Sequence, residues 1–172
     1  MKEEDYRRQT KFLNNNISMH SGIITICKIY RTINYSTVKN THMTIDHIAI
    51  WTYNLEGMRN FYMHYFDASS GHAYYNHSKE FRSYFLSFNG TCKLEIMEMP
   101  NVPRNKNNPM KQNTGLIHFA FNPGSRQKVN ELTQRLREDG FKVIGEPRVT
   151  GDNLYEAIIL DPDGNRVELM AY

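Results

Sequence analysis

Cysteine is scarce in this chain. Cys27 and Cys92 are the only two, one near the N-terminus and one inside a strand-like run, with no CxxC and no other metal-ligand spacing. That excludes a disulfide framework or a cysteine-built zinc site and predicts a reduced, cytosolic protein. Long hydrophobic runs are also missing: the apolar stretch GIITICKIY is interrupted by Lys28, and a bilayer span needs about 20 apolar residues. Its upstream flank, MKEEDYRRQTKFLNNN, carries acidic residues and leads to no small-residue cleavage site, so no secretory signal is expected. Charge of one sign is lacking over most of the length. The formal net charge is +3, yet residues 1–42 hold 7 Lys/Arg against 3 Asp/Glu, which leaves 14 against 15 in the remainder. The main body therefore offers no electrostatic case for nucleic acid.

What is present is a 172-residue chain with 40% hydrophobic residues, enough for one domain or two small modules sharing a core. Residues 1–42 are polar, with an Asn run and no sustained periodicity. They read as an N-terminal extension, poorly ordered or outside the core, or as an over-long choice of start codon. The competing reading is that GIITICKIY adds a strand. The folded domain is expected over 43–172, with modules at 43–99 and 115–172 and a linker at 100–114.

The first module opens with the strand TIDHIAIW, and Asn54 can cap the helix LEGMRNFYMHYF, where Met58, Phe61, Tyr62 and Tyr65 fall at helical spacing. Three strand-like runs follow, GHAYYN, RSYFLSF and CKLEIMEM, the last two separated by an Asn-Gly turn at Asn89 and Gly90. After the linker PNVPRNKNNPMKQNT the order repeats. The strand GLIHFAF leads to Asn122 and Pro123 as an N-cap and first-turn proline, then to the helix SRQKVNELTQRLRED, with Val129, Leu132 and Leu136 on one face and Gly140 as its stop. FKVIGEPRV, LYEAIIL and NRVELMAY complete the module, with DPDG as the last hairpin turn. A repeat of about 70 residues predicts an α+β fold of two paired βαβββ modules forming a cupped mixed sheet.

Each module then repeats a chemical oddity. His47 stands in the first strand of module one and His118 in that of module two, each alternating with bulky apolar residues; Glu95 and Glu168 do the same in the last strands. His47 and Glu95 are 48 residues apart, His118 and Glu168 are 50 apart, the two histidines 71 and the two glutamates 73. The apolar phase should face the helices and the His/Glu phase the other side of the sheet. Ionisable groups on such a face need water, a partner or a metal. Symmetric pairing of the modules would bring two imidazoles and two carboxylates to one point. That donor set suits a borderline divalent ion such as nickel, zinc, cobalt, manganese or iron(II), with positions left for substrate. Two separate His–Glu ion pairs on a wet face are the alternative, which leaves the repetition unexplained.

IDHIAI with its following helix, LEIMEMP, GLIHFAF and DPDGNRVEL together resemble the vicinal oxygen chelate superfamily, which holds glyoxalase I, bleomycin- and fosfomycin-resistance proteins, methylmalonyl-CoA epimerase and extradiol dioxygenases. The resemblance covers residues 44–172, and DPDGNRVEL is its most specific part. Within the superfamily the chain is most similar to bacterial glyoxalase I, the lactoylglutathione lyase. That resemblance implies paired βαβββ modules cupped around a metal, often completed across a homodimer, with His47, Glu95, His118 and Glu168 as ligands. The epimerase branch has Gln where Glu95 stands, and the bleomycin-binding branch lacks these ligands. His at position 47 resembles the nickel-preferring bacterial enzymes; nickel and zinc head the expected metals. The implied reaction is that of a hemithioacetal of methylglyoxal and a thiol, with an enediolate formed as Glu168, Glu95 opposite it, moves a proton between neighbouring carbons.

Other function classes stay open at this stage: a non-enzymatic drug- or metabolite-binding resistance protein, an extradiol Fe(II) dioxygenase, or fosfomycin-type thiol transfer. Arg104, Lys106 and Lys111 in the linker could meet an anionic thiol cofactor but read first as solvated residues. His64, His72 and His77 have no matching carboxylate phase and read as surface residues. Tyr74, Tyr75, Tyr84 and Tyr155 could line the cup or pack its rim. Cys92 reads as a small strand residue, since nothing nearby would lower its pKa. A small-molecule substrate and a homodimer are the expected partners, with no nucleic acid and no membrane.

Overall fold

A computed structural model describes residues 43–90 and 92–172. The expected N-terminal extension and the alternative strand GIITICKIY lie outside the described residues, and residues 44–172 form one compact unit. The element order is β1 (His47–Trp51), α1 (Leu55–Tyr65), β2 (Ser69–Ser70), β3 (Tyr74–Asn76), β4 (Phe81–Ser87), β5 (Lys93–Glu98), β6 (Phe119–Phe121), α2 (Arg126–Glu138), β7 (Val143–Val149), β8 (Tyr155–Leu160) and β9 (Arg166–Ala171). The α+β class read from the repeat is the one observed: two mixed sheets, each with a helix on one face.

The first sheet runs β1-β5-β4-β2, with β3 also on β4, and the second runs β6-β9-β8-β7. In each, the first strand of the module is parallel to the last, and the other pairings are antiparallel. The parallel pairs place β1 and β6 at sheet edges, because a parallel neighbour can be reached only through the crossover helix that precedes the hairpins.

Local chemistry accounts for the helix ends. Asn54 caps α1 by accepting from the Gly57 amide at 2.9 Å. The expected cap of the second helix is corrected: Ser125, not Asn122, accepts from the Lys128 amide, and Asn122 instead accepts from the Gly124 amide at 2.7 Å in a turn. Pro123 and Gly124, with φ of +99° at the glycine, hold the chain out of helix until the serine. At the other end Gly140 takes φ of +87° and stops α2 as expected. The run GHAYYN is strand only over its last three residues, as β3, and the two-residue β2 lies just ahead of it. Their register on β4 moves by one residue between Ser70 opposite Leu86 and Tyr74 opposite Ser83.

The apolar phase of both sheets is buried. Leu86, Leu94 and Ile96 form the bed under Leu55, Met58 and Tyr62 of α1; Ala157, Ile159, Val167 and Leu169 do so under Val129 and Leu136 of α2. An aromatic seam joins the modules. Phe61 meets Phe141 at 4.8 Å, Phe66 meets Phe121 at 4.6 Å and Phe88 meets Phe121 at 4.8 Å between ring centres. Within it the buried Tyr62 hydroxyl donates to Asp161 Oδ2 at 3.0 Å.

Asp161 is only 4% exposed and opens the DPDG turn. Its Oδ1 accepts from the amides of Asp163 and Asn165 at 3.0 and 2.8 Å, and its Oδ2 also accepts from the Asn165 side chain at 2.9 Å. Burial raises the Asp161 carboxyl above its ordinary range, while these hydrogen bonds pull against the shift. Tyr62→Phe removes the bond that crosses the modules without changing the ring packing. We expect a loss of roughly 1–3 kcal/mol in urea denaturation, with far-UV circular dichroism unchanged; a loss near zero would show that the hydroxyl is not part of what joins the two halves.

Candidate metal centre

The repeated His/Glu pattern becomes two close pairs. On the first sheet Ala49 lies opposite Glu95 and His47 opposite Lys93, so His47 and Glu95 share the face turned away from α1. His47 Nε2 and Glu95 Oε2 are 3.8 Å apart. On the second sheet His118 immediately precedes β6, one residue short of the expected strand interior, and its Nε2 lies 3.3 Å from Glu168 Oε2. The side chains are 39% exposed at both histidines, 15% at Glu95 and 13% at Glu168.

The two pairs do not merge. Among the described residues no three His, Cys, Asp or Glu side chains gather closely enough to hold a metal ion. Each pair by itself has the donors for half a site. Two ligands on one ion, each about 2.1 Å from it, stand roughly 3.0 Å apart at a right angle and about 3.4 Å apart at a tetrahedral angle. The His118–Glu168 separation falls within that span, and the His47–Glu95 separation exceeds it by a few tenths of an ångström.

Sequence reasoning missed a third member of the first pair. Asp46 Oδ1 lies 2.9 Å from His47 Nδ1, which leaves Nε2 to face Glu95. A carboxylate behind the ring orients a ligating histidine and fixes its tautomer. The bond to His47 and the charge of Lys93 hold the Asp46 carboxyl below its ordinary range. The signal for it was present as Asp-His in IDHIAI, but strand alternation assigns the two residues to opposite faces.

The surroundings of the two pairs differ. The Phe85 ring stands edge-on to His47 with centres 5.3 Å apart, and Trp51 and Phe81 meet edge-on at 6.0 Å on the same face. Lys93, opposite His47, pairs with Asp46 at 3.7 Å beside the first pair, and Glu156 and Arg148 join at 2.6 Å on the face of Glu168. Burial pushes the Glu168 carboxyl up; the charge of His118 pulls it down and that of Glu156 adds to the rise. Of the remaining residues, His64, His72 and His77 are exposed, with His64 Nε2 at 2.6 Å from Arg135. Tyr84 donates to Glu56 and Tyr155 to Asn130, both away from the pairs. Arg104 and Lys111 are exposed in the linker, with Arg104 over the Tyr53 ring at 4.5 Å.

The sequence profile of the glyoxalase/bleomycin resistance protein/dioxygenase superfamily matches residues 44–169. The chain belongs to that superfamily. It is 30% identical to the uncharacterized protein YwkD of Bacillus subtilis (strain 168) over 128 residues, 73% of this chain and 94% of that one. Among solved structures, a glyoxalase family protein from Enterococcus faecalis superposes with a TM-score of 0.61 at 26% identity, covering 74% of this chain and 97% of that one. A trypanothione-dependent glyoxalase I from Leishmania major superposes with a TM-score of 0.59 at 20% identity, over 75% and 86% of the two chains, which shows the fold alone. This is a vicinal oxygen chelate protein, from a superfamily whose members commonly bind divalent metals and small molecules, include enzymes and are often dimers. No helix among the described residues is long and apolar enough to cross a membrane.

The raised Glu168 carboxyl generates a prediction for the metal-free protein. A carboxyl whose pKa is higher in the folded chain than in the unfolded one disfavours folding when ionised, and that penalty is relieved as the pH falls through the folded pKa. Neutral Glu168→Gln should therefore be at least as stable as wild type at pH 7. Its advantage should shrink as the pH drops towards the ordinary glutamate value of 4.5. Urea denaturation in chelator across that range checks both statements; a variant markedly less stable at pH 7 would contradict them.

Proposed function

We propose that the protein is a metal-dependent lyase or isomerase of glyoxalase I type, with a metal held by His47, Glu95, His118 and Glu168. One observation carries the reading: each module repeats a His Nε2 facing a Glu Oε2 on the face opposite its helix, at 3.8 and 3.3 Å. Two imidazoles and two carboxylates suit nickel or zinc, with cobalt, manganese and iron(II) following in the same class. Because one chain keeps the pairs apart, the complete set is formed between two chains of a homodimer, His47 and Glu95 from one and His118 and Glu168 from the other.

A divalent ion held there would accept two adjacent oxygens of a substrate and stabilise the negative charge left when a neighbouring C–H proton departs. In this reading Glu168 takes that proton on its carboxylate and returns it to the adjacent carbon, while the hydroxyl proton passes from the first substrate oxygen to the second, so the isomerisation has no net gain or loss of protons. Glu95 faces it across the site, and Asp46 holds the His47 ring in the tautomer that presents Nε2. A hemithioacetal of methylglyoxal and a thiol is the substrate this chemistry supports first. A reduced, cytosolic location accords with that use of a thiol.

Three outcomes follow. Elemental analysis after re-equilibration with nickel or zinc should find about one ion per four-ligand set, lost in His118→Ala; no bound ion with any of the divalent metals would end the metalloenzyme reading. Glu168→Gln should abolish turnover, by at least about a hundredfold in kcat, while the fold is kept. Sharing of the site is tested by co-expressing His47→Ala and His118→Ala chains, each inactive alone. The mixed dimer carries one intact set and should recover up to about half of wild-type activity, whereas a site contained within one chain would recover none.

A further inference from the structure

The face that carries His118 and Glu168 bears a guanidinium that the reaction above does not use. β7 is the edge strand of its sheet, and its register on β8 slips between Val143 and Gly145 and again between Gly145 and Arg148. Such irregularities re-aim side chains next to functional sites. Gly145 lies opposite Ile158, and Ile158 opposite Glu168, so the three form one row across the sheet. A Cβ at Gly145 would stand 3.2 Å from Arg148 Nη1 and 3.2 Å from the Ile158 side chain. The arginine therefore lies where any larger residue would reach, over the glycine that begins the row ending at Glu168.

The other guanidinium nitrogen is anchored. Arg148 Nη2 donates to Glu156 Oε1 at 2.6 Å, and the Glu156 side chain is 14% exposed, against 52% for Arg148. Among the described residues Glu156 is the hydrogen-bond partner recorded for this arginine. An arginine has five N–H donors, and a carboxylate that takes one of them leaves a fork for a second anion. An exposed ion pair contributes little stability by itself, which gives no structural reason for a glycine and two register slips to seat it. From the Glu168 strand to the Gly145 strand is about 10 Å, two strand spacings, bridged from both sides by long side chains.

We propose that Arg148 docks a second anionic group of the substrate, so that the site takes vicinal-oxygen compounds bearing a further carboxylate or phosphate one or two carbons beyond the chelating pair. The proposal rests on the metal reading above, adds a residue to it, and replaces the methyl end of methylglyoxal with an anionic group in the substrate class. Glu156 acts as the positioning residue that keeps the guanidinium over Gly145.

Lactate, malate and 3-phosphoglycerate share a 2-hydroxy acid chelate and differ in the second group: none, carboxylate or phosphate. Nickel-loaded protein is titrated with each, read by calorimetry and by the fluorescence of Trp51, the only tryptophan of the chain, which shares a sheet face with His47. Malate or 3-phosphoglycerate should bind at least about tenfold more tightly than lactate, and whichever is preferred identifies the second group. In Arg148→Gln that preference should fall below about threefold, with lactate and nickel affinity unchanged. Equal binding of all three acids to wild type, or a preference that survives Arg148→Gln, overturns the proposal while the metal site stands. Failure of the protein to hold any divalent ion in the elemental analysis overturns the metal reading, and this proposal with it.

Discussion

The carboxylate of Asp161 is the constraint on which the most structure depends. It closes the β8–β9 hairpin through the Asp163 and Asn165 amides and accepts from Tyr62 of the other module's helix. A buried carboxylate is tolerable only when its oxygens are filled with donors, and here four donors fill them. The turn that it closes fixes the register of β9, and a shift of one residue there would carry Glu168 to the helix side of the sheet and Val167 and Leu169 out of the core. A single side chain thus links module docking to the position of a candidate ligand seven residues later.

The way the modules are joined explains why the His/Glu pairs stay separate in one chain. The seam of Phe61, Tyr62, Phe66, Phe121 and Phe141 grows out of the helix-facing, apolar side of each unit. That side is consumed by packing, so the opposite faces remain open, and β1 and β6 remain edges of their sheets. An open sheet edge invites pairing with another chain. The proposed shared site lies on the open faces beside those edges, where the half-sets of two chains would meet.

Much of this organisation is legible in the sequence because it follows from period and from turn chemistry. Alternation in KLEIMEM and NRVELMAY puts Glu95 and Glu168 opposite the buried Leu94, Ile96, Val167 and Leu169, as found. Asn54 and Gly140 act as the helix ends that their residue types favour. The helix start at Ser125 was obscured by two better-looking candidates, since Asn-Pro satisfies the same rule three residues earlier and only the glycine between them settles the competition. The shortening of GHAYYN to β3 accompanies a one-residue change of register on β4 between β2 and β3, a tertiary property. Asp46, Arg148 and Glu156 were missed for a shared reason: an irregular backbone or a neighbour on the next strand brings each to its place, and neither is written in the spacing of one segment.

The two halves are equivalent in their ligands and unlike in everything around them. Glu95 stands opposite Phe85 on a face with Trp51 and Phe81, while Glu168 stands opposite Ile158 on a face with Glu156 and Arg148. Duplication alone would give like surroundings, so the difference is where function can be read. In the metal-free chain burial pushes the Glu168 carboxyl up, His118 and Arg148 pull it down and Glu156 adds to the rise. The aromatic half carries its charged pair, Asp46 with Lys93, beside the histidine and sets the Phe85 ring opposite its glutamate. In the proposed reading the second module therefore supplies the proton chemistry and the docking charge, and the first supplies the oriented imidazole and the dry wall of the cup.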